Sequence, residues 1–399
     1  MVLLASFLVL VSLSFTAQSH VAVNEELRTV ADASNSFTMK FAQYLKKTSP
    51  SSNAVFSPVS AYSVLAGLTE GADGNTRAQL LSALGLPDDD SVIRGGYRGI
   101  ATAYEASKNG KVILNMADAF FLSKYFEPKA SFMTTMRSDF KCDVKKLDFT
   151  SGDSAVSEIN NWVSTETDGR ISQLYEPGEL RESTLLVLAN AVYFKGAWKY
   201  SFETGATSQR TFHLNSNDSI AVDTMSVESQ FLVYSDDSVQ ANVLELPYTG
   251  EEMKMMIILP YQIDGLEQTI QNLKNIPKQG RYDYASDYII YVPKFEITSS
   301  SMDIGEILKS LGVEDAFSQE ANFSRIASQQ VVLDSVKQKA FVAVSEEGTE
   351  AAAATGGGEF PGPSIGSRPG TFEVDHPFVY LIVHVPTDTV IFAGYVLTP

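Results

Sequence analysis

Few side chains in this sequence are of the types that do chemistry unaided. The 399 residues include four histidines, His20, His213, His376 and His384, and a single cysteine, Cys142. No histidine stands at a metal-ligand spacing from Cys, Asp or another His, so no metal is expected. There is no G-x-S-x-G elbow, Walker loop or dinucleotide fingerprint. The triple glycine Gly356–Gly358 lacks the strand–turn–helix setting in which such a run cradles phosphate. Cys142 adjoins Lys141 and lies near Lys145 and Lys146, which would lower a thiol pKa; a passive thiol on a strand is the favoured reading. With one cysteine no internal disulfide can form. No cofactor is expected, and the chain does not read as an enzyme.

What the sequence does offer is a stretch of exposed main chain, Ser345–Pro377, between two strand-like runs at Val331–Val344 and Phe378–Val385. From Gly356 to Gly370 there are six Gly and three Pro, so no regular element is expected there. A loop longer than about 15 residues inside a compact chain usually carries function. Its first part differs: from Gly348 to Thr355 every residue except Glu350 is small. Alternate positions Thr349, Ala351, Ala353 and Thr355 suit a strand that slips between two others. Alanine is a poor strand former, so the strand need not be permanent. A flexible Ala/Gly linker is the alternative.

These residues carry a resemblance. Glu346, Glu347, Gly348, Thr349, Glu350, Ala351, Ala352, Ala353, Ala354 and Thr355 resemble the proximal hinge of the serpin reactive-centre loop. Phe372–Phe378, FEVDHPF, resembles the serpin sequence just beyond that loop, which would span about 346–371. Val55–Ser60, Leu188–Trp198, Leu244–Tyr248, Pro293–Phe295 and Phe392–Val396 match family segments as well. The form of the hinge and C-terminal strands most resembles secreted arthropod serpins, tick salivary ones in particular, whose roles lie in haemostasis or immunity. The resemblance implies an inhibitor, not an enzyme: an extracellular serine protease attacks the loop, forms an acyl-enzyme, and is trapped when the cut loop inserts into the main sheet. A non-inhibitory serpin acting as a binding, carrier or immunomodulatory protein is the alternative. Ser57, Ser60 and Asn190 match the polar shutter under the opening strands, and Trp198 matches the point where insertion begins. Gln338 stands where many serpins have His; an amide can also donate and accept.

Counting seventeen residues from Glu346 puts the scissile bond at Gly362–Pro363. Proline after the cut removes the amide N–H and fixes φ, which most serine proteases reject. Phe360–Pro361 and Arg368–Pro369 fail the same way. Glu359–Phe360 and Ile365–Gly366 survive, and Glu359 is favoured because cutting there leaves a proline-free insert. Such a bait predicts weak inhibition.

The elements that must position this loop read as helices first and long strands later, an α+β fold with large sheets. The resemblance specifies the serpin fold: one domain, helices in its N-terminal half, three β-sheets and the exposed loop. Phe37, Phe41, Tyr44 and Leu45 share a helical face; Ser57-Pro58 opens a helix; Leu80, Leu81 and Leu84 form a stripe stopped by Gly85; Val156, Ile159 and Val163 mark another ending near Gly169. Strands are expected at Thr184–Lys195, Asn242–Pro247, Met253–Leu259, Tyr288–Phe295, Val331–Val344, Phe378–Val385 and Val390–Leu397.

Residues 2–15 are an uncharged apolar run, short for a membrane span, and Ala17 and Ser19 give a small-x-small site. Residues 1–19 are therefore expected to be a secretory signal and 20–399 the folded domain. Net charge is −18 and the basic residues form no dense patch, so neither nucleic acid nor heparin is an expected partner. A secreted monomer without membrane attachment is expected, carrying N-glycan acceptors at Asn217 and Asn322.

Overall fold

The computed structural model describes residues 2–107, 112–274, 276–277, 284–299, 301–349 and 368–399, with side chains from Glu25 onward. The chain runs α1 (Val2–Thr48), β1 (Ala54–Phe56), α2 (Pro58–Gly71), α3 (Gly74–Leu84), α4 (Asp90–Ala106), β2 (Val112–Ser123), α5 (Ala130–Ser138), β3 (Asp143–Leu147) and α6 (Gly152–Glu166). Then follow β4 (Leu186–Ala197), β5 (Ser208–His213), β6 (Ser219–Asp236), β7 (Ala241–Pro247), β8 (Met253–Pro260), α7 (Leu266–Asn272), β9 (Ser286–Pro293), β10 (Phe295–Thr298), β11 (Met302–Asp303) and α8 (Ile304–Ser310). The chain closes with β12 (Leu333–Ser345), β13 (Gly348–Thr349), β14 (Gly370–Glu373), β15 (Phe378–His384) and β16 (Thr389–Val396).

The helix signals act as read. Pro58 opens α2, Gly85 ends α3 at φ 70°, and Gly169 takes φ 78° beyond α6. Ser57 occupies the N-cap of α2, yet its hydroxyl makes no cap bond and donates instead to the Ile391 carbonyl at 2.6 Å. α2 is buried all round, which fits a helix that runs beneath a sheet rather than along the surface.

The main sheet has the order β10-β12-β13-β4-β2-β3. β12 and β4 are parallel and paired directly from Leu333↔Leu186 to Ala340↔Val192. The period of two sorts the strand residues between faces. Ala117, Ala119, Phe121, Val187, Ala189 and Ala191 pack on Val156, Ile159 and Val163 of α6, whereas Phe120, Leu122, Leu186, Leu188 and Val192 join the core around α2. A second sheet, β1-β16-β15-β8-β7, continues into β6 at Leu232–Asp236. Farther back on β6, Thr224–Phe231 pair with β9 and Ser219–Thr224 with β5, building the third. The second and third sheets thus share one long strand.

The expected strands are all present, with ends moved by one or two residues, and Tyr288–Phe295 divides at Lys294 into β9 and β10. Periodicity did not reveal β2. It lies inside the main sheet between β4 and β3, its second half is buried on both faces, and so it shows no alternation. Cys142, expected on a strand, sits one residue before β3.

Candidate functional site

The top of the main sheet is organised around Ser345–Thr349. Beyond β12 the chain turns at Glu346-Glu347, and β13 returns antiparallel between β12 and β4, with Val344↔Thr349 and Thr349↔Gly196 in register. Gly348 has φ 155°, and a Cβ there would lie 2.0 Å from the Gly196 carbonyl oxygen. Only glycine lets the backbone approach β4 this closely. Thr349 is fully buried, and its hydroxyl meets Tyr248 Oη at 2.6 Å. Tyr248 stacks on Trp198 with centroids 4.5 Å apart. Trp198 donates twice to the turn, from its backbone N–H to Glu347 O at 3.1 Å and from Nε1 to Ser345 O at 3.0 Å.

Glu346 anchors the same turn. Its carboxylate pairs with Lys294 Nζ at 3.0 Å and accepts from Thr207 Oγ1 at 2.8 Å, while its carbonyl accepts from Phe202 N–H. Burial acts to raise this carboxyl, but its own amide, Lys294 and Thr207 together hold it below the usual glutamate value. Gly348 and Thr349 thus lie in the sheet in the uncut chain. Glu350, Ala351, Ala352, Ala353 and Ala354, and the bonds around Glu359, Phe360, Gly362, Pro363 and Ile365, lie outside the described residues.

Below β13 the route is closed, and a polar network sits where the strands meet. Gln338 and Asn190 are register partners across β12 and β4, and Asn190 and Asp118 across β4 and β2. All three lie on the α2 face. The Gln338 amide accepts from Ser57 N–H at 2.9 Å and donates to Ser57 O at 2.8 Å and to Asn190 Oδ1. Asn190 Nδ2 donates to Ser60 Oγ and to Asp118 Oδ1, and Ser60 Oγ donates to Asp118 Oδ1 at 3.1 Å. The structure therefore brings Ser57, Ser60, Asn190 and Gln338 together, and gathers Trp198 with Glu346–Thr349 above them.

Sequence reasoning missed Asp118. It is a lone acid inside the apolar run MADAFFL, and that isolation was the available signal. Burial pushes its carboxyl up to about 7, against the pull of Ser60, Asn190 and Ser63. Its hydrogen-bond partners are neutral.

The remaining sites are more ordinary. Ser107 Oγ and His384 Nε2 lie 2.8 Å apart, but His384 Nδ1 faces the Thr387 hydroxyl rather than a carboxylate. The ring is fully buried, and burial holds the imidazole down at about 4. His376 bridges Asp375 and the Pro260 carbonyl in the bend before Pro377. Cys142 is buried; burial, with the charges of Asp118 and Asp143, drives its thiol well up, overturning any lysine-activated reading. Asn217 and Asn322 are both exposed, the first in the β5–β6 hairpin and the second in an Asx turn onto Ser324. Arg368 is exposed as well. Among the described residues no helix is long and apolar enough to cross a membrane.

Comparison with known proteins agrees with this geometry. Residues 32–399 match the family model described as serpin (serine protease inhibitor). The chain is 34% identical over 383 residues to leukocyte elastase inhibitor A of Mus musculus, covering 93% of this chain and 99% of that one. It is 33% identical over 381 residues to Iripin-2 of Ixodes ricinus, covering 93% and 94%. Among solved structures, Serpin48, described as a highly specific serpin in the insect Tenebrio molitor, superposes with a TM-score of 0.83 at 31% identity, covering 93% of this chain and 98% of that one.

Proposed function

The chain belongs to the serpin family, and on that premise we propose that it is a secreted, one-use covalent inhibitor of an extracellular serine protease. The observation that carries this reading is β13: Gly348 and Thr349 of the loop's hinge already lie as a strand between β12 and β4, while those strands pair directly below. The protease serine adds to the bait carbonyl, proposed at Glu359. The C–N bond to Phe360 breaks, the amine leaves with a proton, and an ester joins Glu359 to the protease. The freed segment continues β13 downward, and the small residues after Thr349 fit between β12 and β4. Thr349 to Glu359 would extend about 35 Å at about 3.3 Å per residue, enough to span the sheet. Two new ladders replace the single β12–β4 ladder, and solvated main chain becomes hydrogen-bonded. With both ends of the loop tethered this state is out of reach, so the intact fold is a kinetic trap.

Opening requires Gln338 and Asn190 to part. Gln338 also holds both backbone groups of Ser57, and Asn190 also holds Ser60 and Asp118, so each keeps partners when the strands separate. Secretion rests on the apolar run at residues 2–15, and the exposed Asn217 and Asn322 suit N-glycans in that setting. The test is incubation with a panel of serine proteases, read by SDS-resistant complexes and by mass spectrometry of the released C-terminal peptide. A complex with release after Glu359 is expected. Cleavage by every protease without any complex would favour the binding or carrier reading.

A further inference from the structure

A cleft of about 520 Å³ opens between α4, β2, the α5–β3 connection and the end of α6. Its lining includes none of the described residues of the reactive-centre loop. α4 presents Tyr97, Ile100, Ala101 and Tyr104 to it, the i, i+3, i+4, i+7 face of the helix. With Phe140 these give three aromatic rings in one wall. The size is that of a small-molecule site, and the lining is mixed, aromatic and aliphatic on the α4 side and polar opposite.

Two of the buried polar groups in the lining stand out. The Tyr97 hydroxyl is buried, with the residue only 4% exposed, and has no hydrogen-bond partner. A buried orphan donor costs about 1–3 kcal/mol unless something satisfies it. The second is Asp118, 8% exposed, which lines the cleft from the β2 side and has neutral partners. Asp118 and Tyr97 are close enough for the carboxylate charge to disfavour an ionised phenol. At the mouth stand Glu105, Asp139, Glu166 and Asp168 against Lys141, with Asp139 engaged by Arg98 at 3.3 Å. An aromatic wall, a buried carboxylate, an unpartnered hydroxyl and an acidic mouth select a flat ring bearing a positive charge.

We propose that this cleft is a binding site for a small protonated arylalkylamine, with Asp118 as its counter-ion and the Tyr97 hydroxyl as a second polar contact. The ring lies among Tyr97, Tyr104 and Phe140, and the ammonium reaches inward to Asp118. The same carboxylate holds Ser60 and Asn190, so occupancy bears on the sheet opening described above. That consequence rests on the inhibitory reading; the binding itself does not.

The test is isothermal titration of the full chain at pH 8 with three indoles that differ only at the tail: tryptamine, its neutral alcohol analogue tryptophol, and indole-3-propionate. Tryptamine should bind saturably at one site, tryptophol about tenfold or more weakly, and indole-3-propionate not at all. Asp118→Asn should erase the preference for tryptamine over tryptophol, and Ala101→Trp, which fills the cleft from α4, should abolish binding of both. Circular dichroism checks the fold of each variant. If Asp118→Asn does not fold, Ala101→Trp and the three-ligand comparison still decide. Absence of saturable tryptamine binding, equal affinity for tryptophol, preference for the anion, or binding that survives Ala101→Trp would each overturn the proposal. Protease-inhibition assays run separately keep its failure distinct from failure of the inhibitory reading.

Discussion

Asp118 is a buried acid whose partners are hydroxyls and an amide, and its ionisation should therefore work against the fold. An unfolded aspartate titrates near 3.8, whereas burial raises this one to about 7. Between those values the folded chain holds a proton that the unfolded chain has released. Its contribution to stability is thus fully present below about pH 4, declines as pH rises toward 7, and is gone above it. Asp118→Asn keeps an oxygen to accept from Ser60 and Asn190 and removes the charge. At pH 8 the variant should be more stable by roughly 2–4 kcal/mol, with the difference vanishing near pH 4. Thermal unfolding across pH checks this; a variant less stable than the parent at pH 8 would show that the carboxylate stabilises the fold. A second residue-scale prediction concerns Glu359, the proposed bait. Trypsin-like pockets must desolvate the Glu359 carboxylate without a cationic partner. Glu359→Arg should form an SDS-resistant complex with trypsin that the parent does not. If the variant is only cut, insertion through Gly356–Gly358 is too slow to trap the acyl-enzyme.

At the scale of the element, β13 is two residues long and depends on one glycine and one threonine. Gly348→Val would drive side-chain atoms into the Gly196 carbonyl and should expel β13 from between β12 and β4. Trp198 would then lose its covering turn, so tryptophan emission should shift to the red; an unchanged spectrum would mean that the strand tolerates a side chain. Thr349→Arg places a cation at a fully buried position facing Tyr248, a cost of several kcal/mol. The variant should be cleaved as a substrate without forming complexes. Undiminished complex formation would place Thr349 outside the inserted register.

For the whole molecule, the proposed mechanism predicts two states that differ in how far a strand extends between β12 and β4. Intact, the two pair from Leu333 to Ala340; on the proposed mechanism, a cut in the loop should let the segment after Thr349 separate them. The cut protein should melt well above the intact one, because it gains a central strand and relieves the tether. Differential scanning calorimetry before and after limited proteolysis between Glu359 and Ile365 measures the change. Equal melting temperatures would mean that the loop does not insert.

Much of this was legible in one dimension because it depends on local rules. Pro58 opening a helix, Gly85 ending one, and long alternating or apolar runs at β7, β8, β12, β15 and β16 are properties of neighbouring residues. Resemblance supplied Ser57, Ser60, Asn190, Trp198 and Gln338, but not what they touch. Tertiary structure alone decided that Ser57 gives its hydroxyl to Ile391 rather than to its own helix, and that Gly348 and Thr349 are already in the sheet. It alone placed Asp118, whose nearest partners lie 58 and 72 residues away in sequence. Burial and pairing across such distances set that carboxyl's ionisation, and neither is encoded in the spacing of residues along the chain.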